Sequence, residues 1–171
     1  MYIMDSVVNQ NSNMEYAFIT ATEDSEFAAA KELFMEYART LDFDLCFQNF
    51  EDELNKISTM YNNPDGGLIL IKEIQTGNFV GCAGVRNIQD QICELKRMYI
   101  QVNHRHKGLG ERLLNQSIGL AKTLGYKKIR LDTVAKMVSA IKLYRAKGFK
   151  EIDAYTYNPR VDIIFFELEL C

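Results

Sequence analysis

The stretch ICELKRMYIQVNHRHKGLGERLL, from Ile92 to Leu114, decides how the rest of the chain is read. Residues 92 to 102 are apolar and β-branched enough to predict a strand, 103 to 107 are polar and basic, and Gly108 opens a helical spacing of Leu109, Leu113 and Leu120. A strand therefore turns tightly into a helix. The first turn of such a helix leaves backbone N–H groups unpaired at the positive end of its dipole. Gly108 and Gly110 remove side chains that would hold an anion off, and Arg105 and Lys107 add positive charge, so the turn is a phosphate site on physical grounds. A nucleoside-triphosphate loop is excluded because Glu111 and Arg112 follow Gly110 instead of Lys-Ser or Lys-Thr. A dinucleotide fingerprint is excluded as well, since Leu113 stands where its third glycine belongs.

Outward from this stretch, 171 residues suit one domain with a proper core, read as residues 14 to 171 behind a loose, Asn/Gln/Ser-rich tail at 1 to 13. No apolar run approaches the ~20 residues of a membrane span, and the N-terminal residues lack the basic and apolar regions of a signal peptide, so a cytoplasmic protein without a membrane partner is expected. Cys46, Cys82, Cys93 and Cys171 form no C-x-x-C pair and read as small buried hydrophobes. His104 and His106 lack a third ligand, and no metal is assigned. The net charge of −3 hides a division: residues 94 to 150 hold 14 Lys/Arg against 3 Asp/Glu, and the remainder holds 6 against 20. No helix interleaves aromatic and basic residues in the manner of a nucleic-acid reader, so a small polyanionic cofactor fits the basic segment better.

In chain order, Tyr16 to Ala21 predicts a strand, and Thr22 with Glu23, Asp24 and Glu26 starts a helix whose apolar face runs from Phe27 to Leu41. A second helical stretch, Phe47 to Met60, places Phe50, Leu54 and Ile57 on one side. Leu68 to Ile74 and Phe79 to Ile88 form an antiparallel pair, with Gly81 and Gly84 allowing close backbone approach. After the helix from Gly108 to Leu124 comes a strand through Ile129, Leu131 and Thr133, a crossover that implies a parallel pair. A helix from Met137 to Lys147 and strands at Ile152 to Tyr157 and Val161 to Leu170 complete a mixed α/β chain of about seven strands and about four helices.

Arg105-His106-Lys107-Gly108-Leu109-Gly110 resembles the R/Q-x-x-G-x-G/A signature of the GNAT acyltransferases. The strand CELKRMYI before it and SAIKLYRAKGF (Ser139 to Phe149) after it resemble that family's flanking motifs, so the likeness covers roughly residues 67 to 170. FDLCFQ (Phe43 to Gln48) and YTYNP (Tyr155 to Pro159) are similar to phrases of bacterial members and imply no substrate. The resemblance implies the GNAT fold with a splayed central parallel strand pair, acetyl-CoA as co-substrate, and transfer to a primary amine of a small molecule by a monomer or homodimer. It further implies that residues 105 to 110 hold pyrophosphate, that Met98, Tyr99 and Ile100 offer backbone groups to pantetheine and to the thioester oxygen, and that Tyr144 protonates the departing thiolate.

Glu94, eleven residues before Arg105, stands where some of these enzymes keep a basic glutamate, and equally reads as a strand carboxylate paired with Lys96 or Arg97. An amine of pKa about 10.4 costs about 4.6 kcal/mol to neutralise at pH 7, so a relay or a raised pKa is needed. Met137 replaces the asparagine that often opens the family's second motif. Residues 23 to 53 carry ten acids against Lys31 and Arg39, and the resemblance implies that this region borders the acceptor site, so a cationic acceptor met by Asp42 and Asp44 is expected, with a solvated helix face as the alternative. A non-catalytic acyl-CoA sensor and transfer of another acyl group or to a hydroxyl are the rival functions.

Overall fold

The computed structural model describes residues 15–171, so the segment read as a tail lies outside it. Seven strands form one sheet: β1 (Tyr16–Thr20), β2 (Gly67–Glu73), β3 (Phe79–Gln89), β4 (Ile92–Ile100), β5 (Lys128–Val134), β6 (Lys150–Ile152) and β7 (Ile163–Glu169), in the order β1-β2-β3-β4-β5-β7-β6. Every pairing is antiparallel except β4 with β5. Among the described residues five helices cover the sheet: α1 (Asp24–Thr40), α2 (Phe50–Asn55), α3 (Ile57–Met60), α4 (Leu109–Thr123) and α5 (Val138–Ala146). One core packs Leu109, Leu113, Leu114, Ile141 and Tyr144 against strand residues such as Cys93, Ile129 and Phe166, while a second packs Phe27, Phe34, Ile57 and Tyr61 against Leu68, Leu70 and Cys82. The two helical layers therefore bury both faces of the sheet, which is why β2 reads as a continuous apolar run and not as an alternating one. Among the described residues no helix is long and apolar enough to cross a membrane.

Two features of the sheet shape the site. Parallel pairing of β4 with β5 ends at Glu94 opposite Arg130, although β4 continues to Ile100 and β5 to Val134, so the strands part beyond that point. On its other edge β4 slips register against β3 between Cys82 and Gly84, where Arg97 takes a left-handed φ of 55°. This is a β-bulge, and it bends β4 away from β5 at the place where their pairing stops. Tight packing fixes the same region: a Cβ on Gly84 would collide with the ring of Tyr61, so only glycine lets α3 sit on β3 here.

Several boundaries differ from expectation. The cap of α1 is Glu23, not Thr22, because Glu26 folds back to accept from the N–H groups of both Thr22 (2.8 Å) and Glu23 (3.0 Å). The stretch from Phe47 to Met60 is a 3-10 turn (Cys46–Gln48) followed by α2 and α3, broken at Asn49, whose φ is 54°. The reason is a buried charge: Glu53, not Leu54, turns fully inward. The strand expected at Ile152 to Tyr157 stops at Ile152, and the chain leaves the sheet so that Tyr155 can reach Glu94. Of the cysteines, Cys82 and Cys93 are buried as expected, whereas Cys46 and Cys171 are exposed. Burial pushes the thiol of Cys93 up to about 12 and that of Cys82 higher still.

Candidate active site

The turn from Ile100 into α4 is held by its own cations. Arg105 Nε donates to the carbonyl of Ile100 at 2.8 Å, and its guanidinium lies 5.7 Å from the ring centre of Tyr99. Lys107 Nζ donates to Tyr16 Oη at 2.8 Å and to Glu15 at 3.3 Å, partners that raise its pKa. His106 and Gly108 both adopt left-handed backbone (φ 62° and 73°), curling the chain so that α4 begins at Leu109. The N–H groups of Leu109, Gly110 and Glu111 then precede the first intrahelical bond, Arg112 N–H to Gly108, and point out of the helix end. A Cβ on Gly108 would meet nothing within 4 Å, so the glycine answers to its positive φ, which L side chains adopt at a penalty. Leu109 itself is core, and only its backbone is available to a ligand.

A cleft of about 100 Å³ lies between the parted ends of β4 and β5, walled by Leu95 to Met98 on one side and Leu131 to Val134 on the other. Met98 lines it, whereas Tyr99 points to the opposite face of the sheet and donates its hydroxyl to Glu36 at 2.9 Å. Burial, with Glu36 beside it, pushes that phenol up to about 12. Tyr144 stands in the wall with Met137 and Ala140, stacked near Phe149 and Phe166 at 5.8 and 6.0 Å. Its phenol is raised above the ordinary value by burial.

A second, larger cavity of about 460 Å³ adjoins the first, and Gln48 and Lys96 line both. Its floor is a set of buried charges. Glu94, 2% exposed, accepts from Arg86 Nε (3.0 Å) and Nη2 (2.9 Å) on one oxygen and from Tyr155 Oη (2.7 Å) on the other, with Lys96 Nζ at 3.6 Å. Lys96 is also paired with Asp132 at 3.0 Å. Glu53 meets Arg97 through two bonds of 3.1 and 2.6 Å and accepts from Tyr61 at 2.6 Å. Burial acts to raise the pKa of Glu53, but Arg97 and Tyr61 outweigh it and hold the carboxyl below its usual value. Burial also drives the phenol of Tyr155, with Glu94 beside it, far above its normal range.

Of the residues expected around the cofactor and the departing thiolate, Met98 and Tyr144 line the cleft, Tyr99, Ile100 and the turn from Arg105 to Gly110 do not, and Glu94 lies in the adjoining cavity. Asp42 and Asp44 line neither space. Asp42 is exposed and pairs with Lys136 at 2.6 Å, and Asp44 is exposed and accepts from the N–H of Cys46 at 2.8 Å. Both are lowered in pKa, Asp42 by Lys136 and Asp44 by Cys46. Sequence reasoning passed over Gln48, Glu53, Arg86, Arg97, Asp132 and Tyr155. Two signals were present: Glu53 falls on the apolar face between Phe50 and Ile57, where a carboxylate needs a partner, and the phrases FDLCFQ and YTYNP supply Gln48 and Tyr155.

Residues 21–149 match the family model described as the acetyltransferase (GNAT) family. The chain belongs to the GNAT acetyltransferase family. This GNAT acetyltransferase is 33% identical over 141 residues to an uncharacterised N-acetyltransferase of Schizosaccharomyces pombe, a match covering 82% of this chain and 86% of that protein. It is 31% identical over 107 residues to an N-acetylaspartate synthetase of Xenopus tropicalis, covering 62% of this chain and 39% of that one. Among solved structures, a GNAT-family acetyltransferase of Staphylococcus aureus superposes with a TM-score of 0.73 at 24% identity, covering 91% of this chain and all of that one. An acetyltransferase of Salmonella typhimurium, determined with its cofactor acetyl-CoA, superposes at 0.65 and 17% identity, covering 91% and 95%. These likenesses establish the GNAT fold, and the family with its named relatives makes the protein an acetyltransferase.

Proposed function

We propose that this GNAT enzyme transfers the acetyl group of acetyl-CoA directly to the primary amine of a small molecule. The observation that carries the reading is the cleft where β4 and β5 part, walled by Met98 and Tyr144, which meets at Gln48 and Lys96 the cavity that holds the buried carboxylate Glu94. The residues present fit the cofactor: N–H groups at the start of α4 with Arg105 and Lys107 suit a pyrophosphate, and the backbone of β4 beyond Glu94, without a strand partner on its β5 side, suits an extended pantetheine amide chain. When bound, acetyl-CoA supplies the thioester that is cleaved.

The chain's own groups then have distinct tasks. A backbone N–H in Met98 to Ile100, aimed by the bulge at Arg97, holds the thioester oxygen as negative charge develops on it. The acceptor nitrogen bonds to the carbonyl carbon, the carbon–sulfur bond breaks, and the Tyr144 hydroxyl stabilises the sulfur that leaves. Full transfer from a phenol of ordinary pKa about 10 to a thiolate of about 8.5 is uphill by roughly 2 kcal/mol. Burial raises Tyr144 further, so hydrogen bonding is its larger contribution. Glu94 receives the amine's proton through a relay, because both its oxygens already accept from Arg86 and Tyr155. The phenol of Tyr155 can pass one proton to Glu94 while accepting another, leaving Tyr155 unchanged. N-transfer is supported by the relatives named N-acetyltransferases and N-acetylaspartate synthetases.

Free-thiol release from acetyl-CoA over an amine panel tests the reading, with acetyl-CoA affinity measured by calorimetry alongside. Release that depends on amine is expected. Tight acetyl-CoA binding with no release for any amine would instead make the protein a sensor.

A further inference from the structure

Among the described residues one buried side-chain polar atom has no hydrogen-bond partner: Oε1 of Gln48, which lines both the thioester cleft and the larger cavity. A buried acceptor left unbonded is destabilising, and native proteins retain one mainly where something else completes it. Gln48 ends the phrase FDLCFQ, at the close of the 3-10 turn Cys46–Gln48, and the left-handed Asn49 that follows sets its place beside the cleft. An atom that accepts at the meeting point of cleft and cavity suits a group that donates there, which in an acetyltransferase is the acceptor's N–H.

The remaining donors and acceptors of the cavity are unequal. Its buried carboxylates each already face a cation and accept three bonds: Glu53 from Arg97 and Tyr61, Glu94 from Arg86 and Tyr155. At the rim Asp52 is bonded to Lys56 at 3.0 Å. Arg86, by contrast, spends only Nε and Nη2, both on one oxygen of Glu94, and no acceptor among the described residues takes its Nη1 hydrogens. Its side chain is 22% exposed. A guanidinium carries five N–H groups, so the cavity holds unspent donors beside acids whose charge is already paired. It therefore offers more to a carboxylate than to a second ammonium group.

We propose that the acceptor is a small amino-carboxylate, an amino-acid-like molecule whose amine donates to Gln48 Oε1 and whose carboxylate takes the free N–H groups of Arg86. The inference rests on the acetyltransferase reading and narrows it. Gln48 holds the nitrogen next to the thioester cleft, and Arg86 selects for the acid. The acidic segment around Asp42 and Asp44 plays no part in this selection, since it faces neither space.

The experiment measures kcat/KM for free-thiol release with paired acceptors: free amino acids, their carboxamides, and diamines. In the wild type, amidation is expected to lower kcat/KM by about tenfold or more, and diamines to fare no better than the amides. Arg86→Lys should compress the acid-to-amide ratio, a readout that general damage to the fold leaves unmoved. Gln48→Leu should lower kcat/KM about tenfold for acid and amide alike while acetyl-CoA affinity stays at the wild-type value. Equal use of acids and amides, a preference for diamines, or unchanged kcat/KM in Gln48→Leu overturns the proposal while leaving acetyl transfer intact. No release with any amine overturns the acetyltransferase reading itself.

Discussion

Replacing Glu53 with Gln tests whether the buried pair with Arg97 is what holds the bulge in β4. Both side chains are almost sealed, at 2% and 4% exposure, and joined by two bonds of 3.1 and 2.6 Å. The amide keeps the volume and an acceptor for Tyr61, but it leaves the guanidinium without a counter-charge. Breaking a buried pair from one side is destabilising by about 3 to 5 kcal/mol. For a chain of this size each kcal/mol moves the melting temperature by about 2 to 4 °C, so a fall of roughly 6 to 20 °C is expected. The pH dependence follows from the lowered pKa of Glu53. A carboxyl depressed in the fold stabilises above its unfolded value, about 4.3, and that contribution is lost as pH falls through the lower folded value. The gap between wild type and Glu53→Gln should therefore be full at neutral pH and close on acidification below about pH 4. Joint replacement, Glu53→Leu with Arg97→Met, should recover part of the melting temperature, because neither charge remains although the buried Tyr61 hydroxyl loses its acceptor. Turnover should stay low in that variant, since the left-handed Arg97 loses the anchor that fixes it. Thermal melts at several pH values together with kcat from thiol release decide the matter. A melting point for Glu53→Gln within about 2 °C of wild type, a shift expected from less than about 1 kcal/mol, would refute the reasoning. So would wild-type turnover in the double replacement.

Tyr144→Phe should lower kcat by about tenfold to a hundredfold with little change in acetyl-CoA affinity, as comparison of turnover with calorimetry will check. Unchanged kcat where transfer limits the rate would make Tyr144 a core aromatic only. Arg105→Ala combined with Gly110→Asp should weaken acetyl-CoA by well over tenfold, because each charge-assisted bond is worth about 1.5 to 3 kcal/mol and the change adds negative charge to the first turn of α4. Calorimetry showing equal affinity would remove the phosphate assignment from this turn. Gly84→Val should destabilise the fold by about 1 to 3 kcal/mol or more, since its Cβ lies where the Tyr61 ring sits, and chemical denaturation measures this directly.

What the sequence by itself determined was the frame: the strand at Ile92 to Ile100, the turn at Arg105 to Gly110, and the helix after it, because each follows from local periodicity and from glycines at a required φ. Local chemistry was enough to single out Met98 and Tyr144, which wall the cleft where β4 and β5 part. It did not sort the acids, since charge summed over residues 23 to 53 does not tell which of them face inward. Asp42 and Asp44 point to Lys136 and to the backbone of Cys46, while Glu53 from the same segment is buried against Arg97, 44 positions on. The break at Asn49 and the early end of β6 have the same origin. A helix or strand yields its local preference where a buried charge must be met, and the partner that meets it is set only when distant strands are brought side by side. Gln48 is the extreme case: the phrase FDLCFQ contains it without assigning it a task, and only the meeting of the two cavities shows an acceptor atom without a donor.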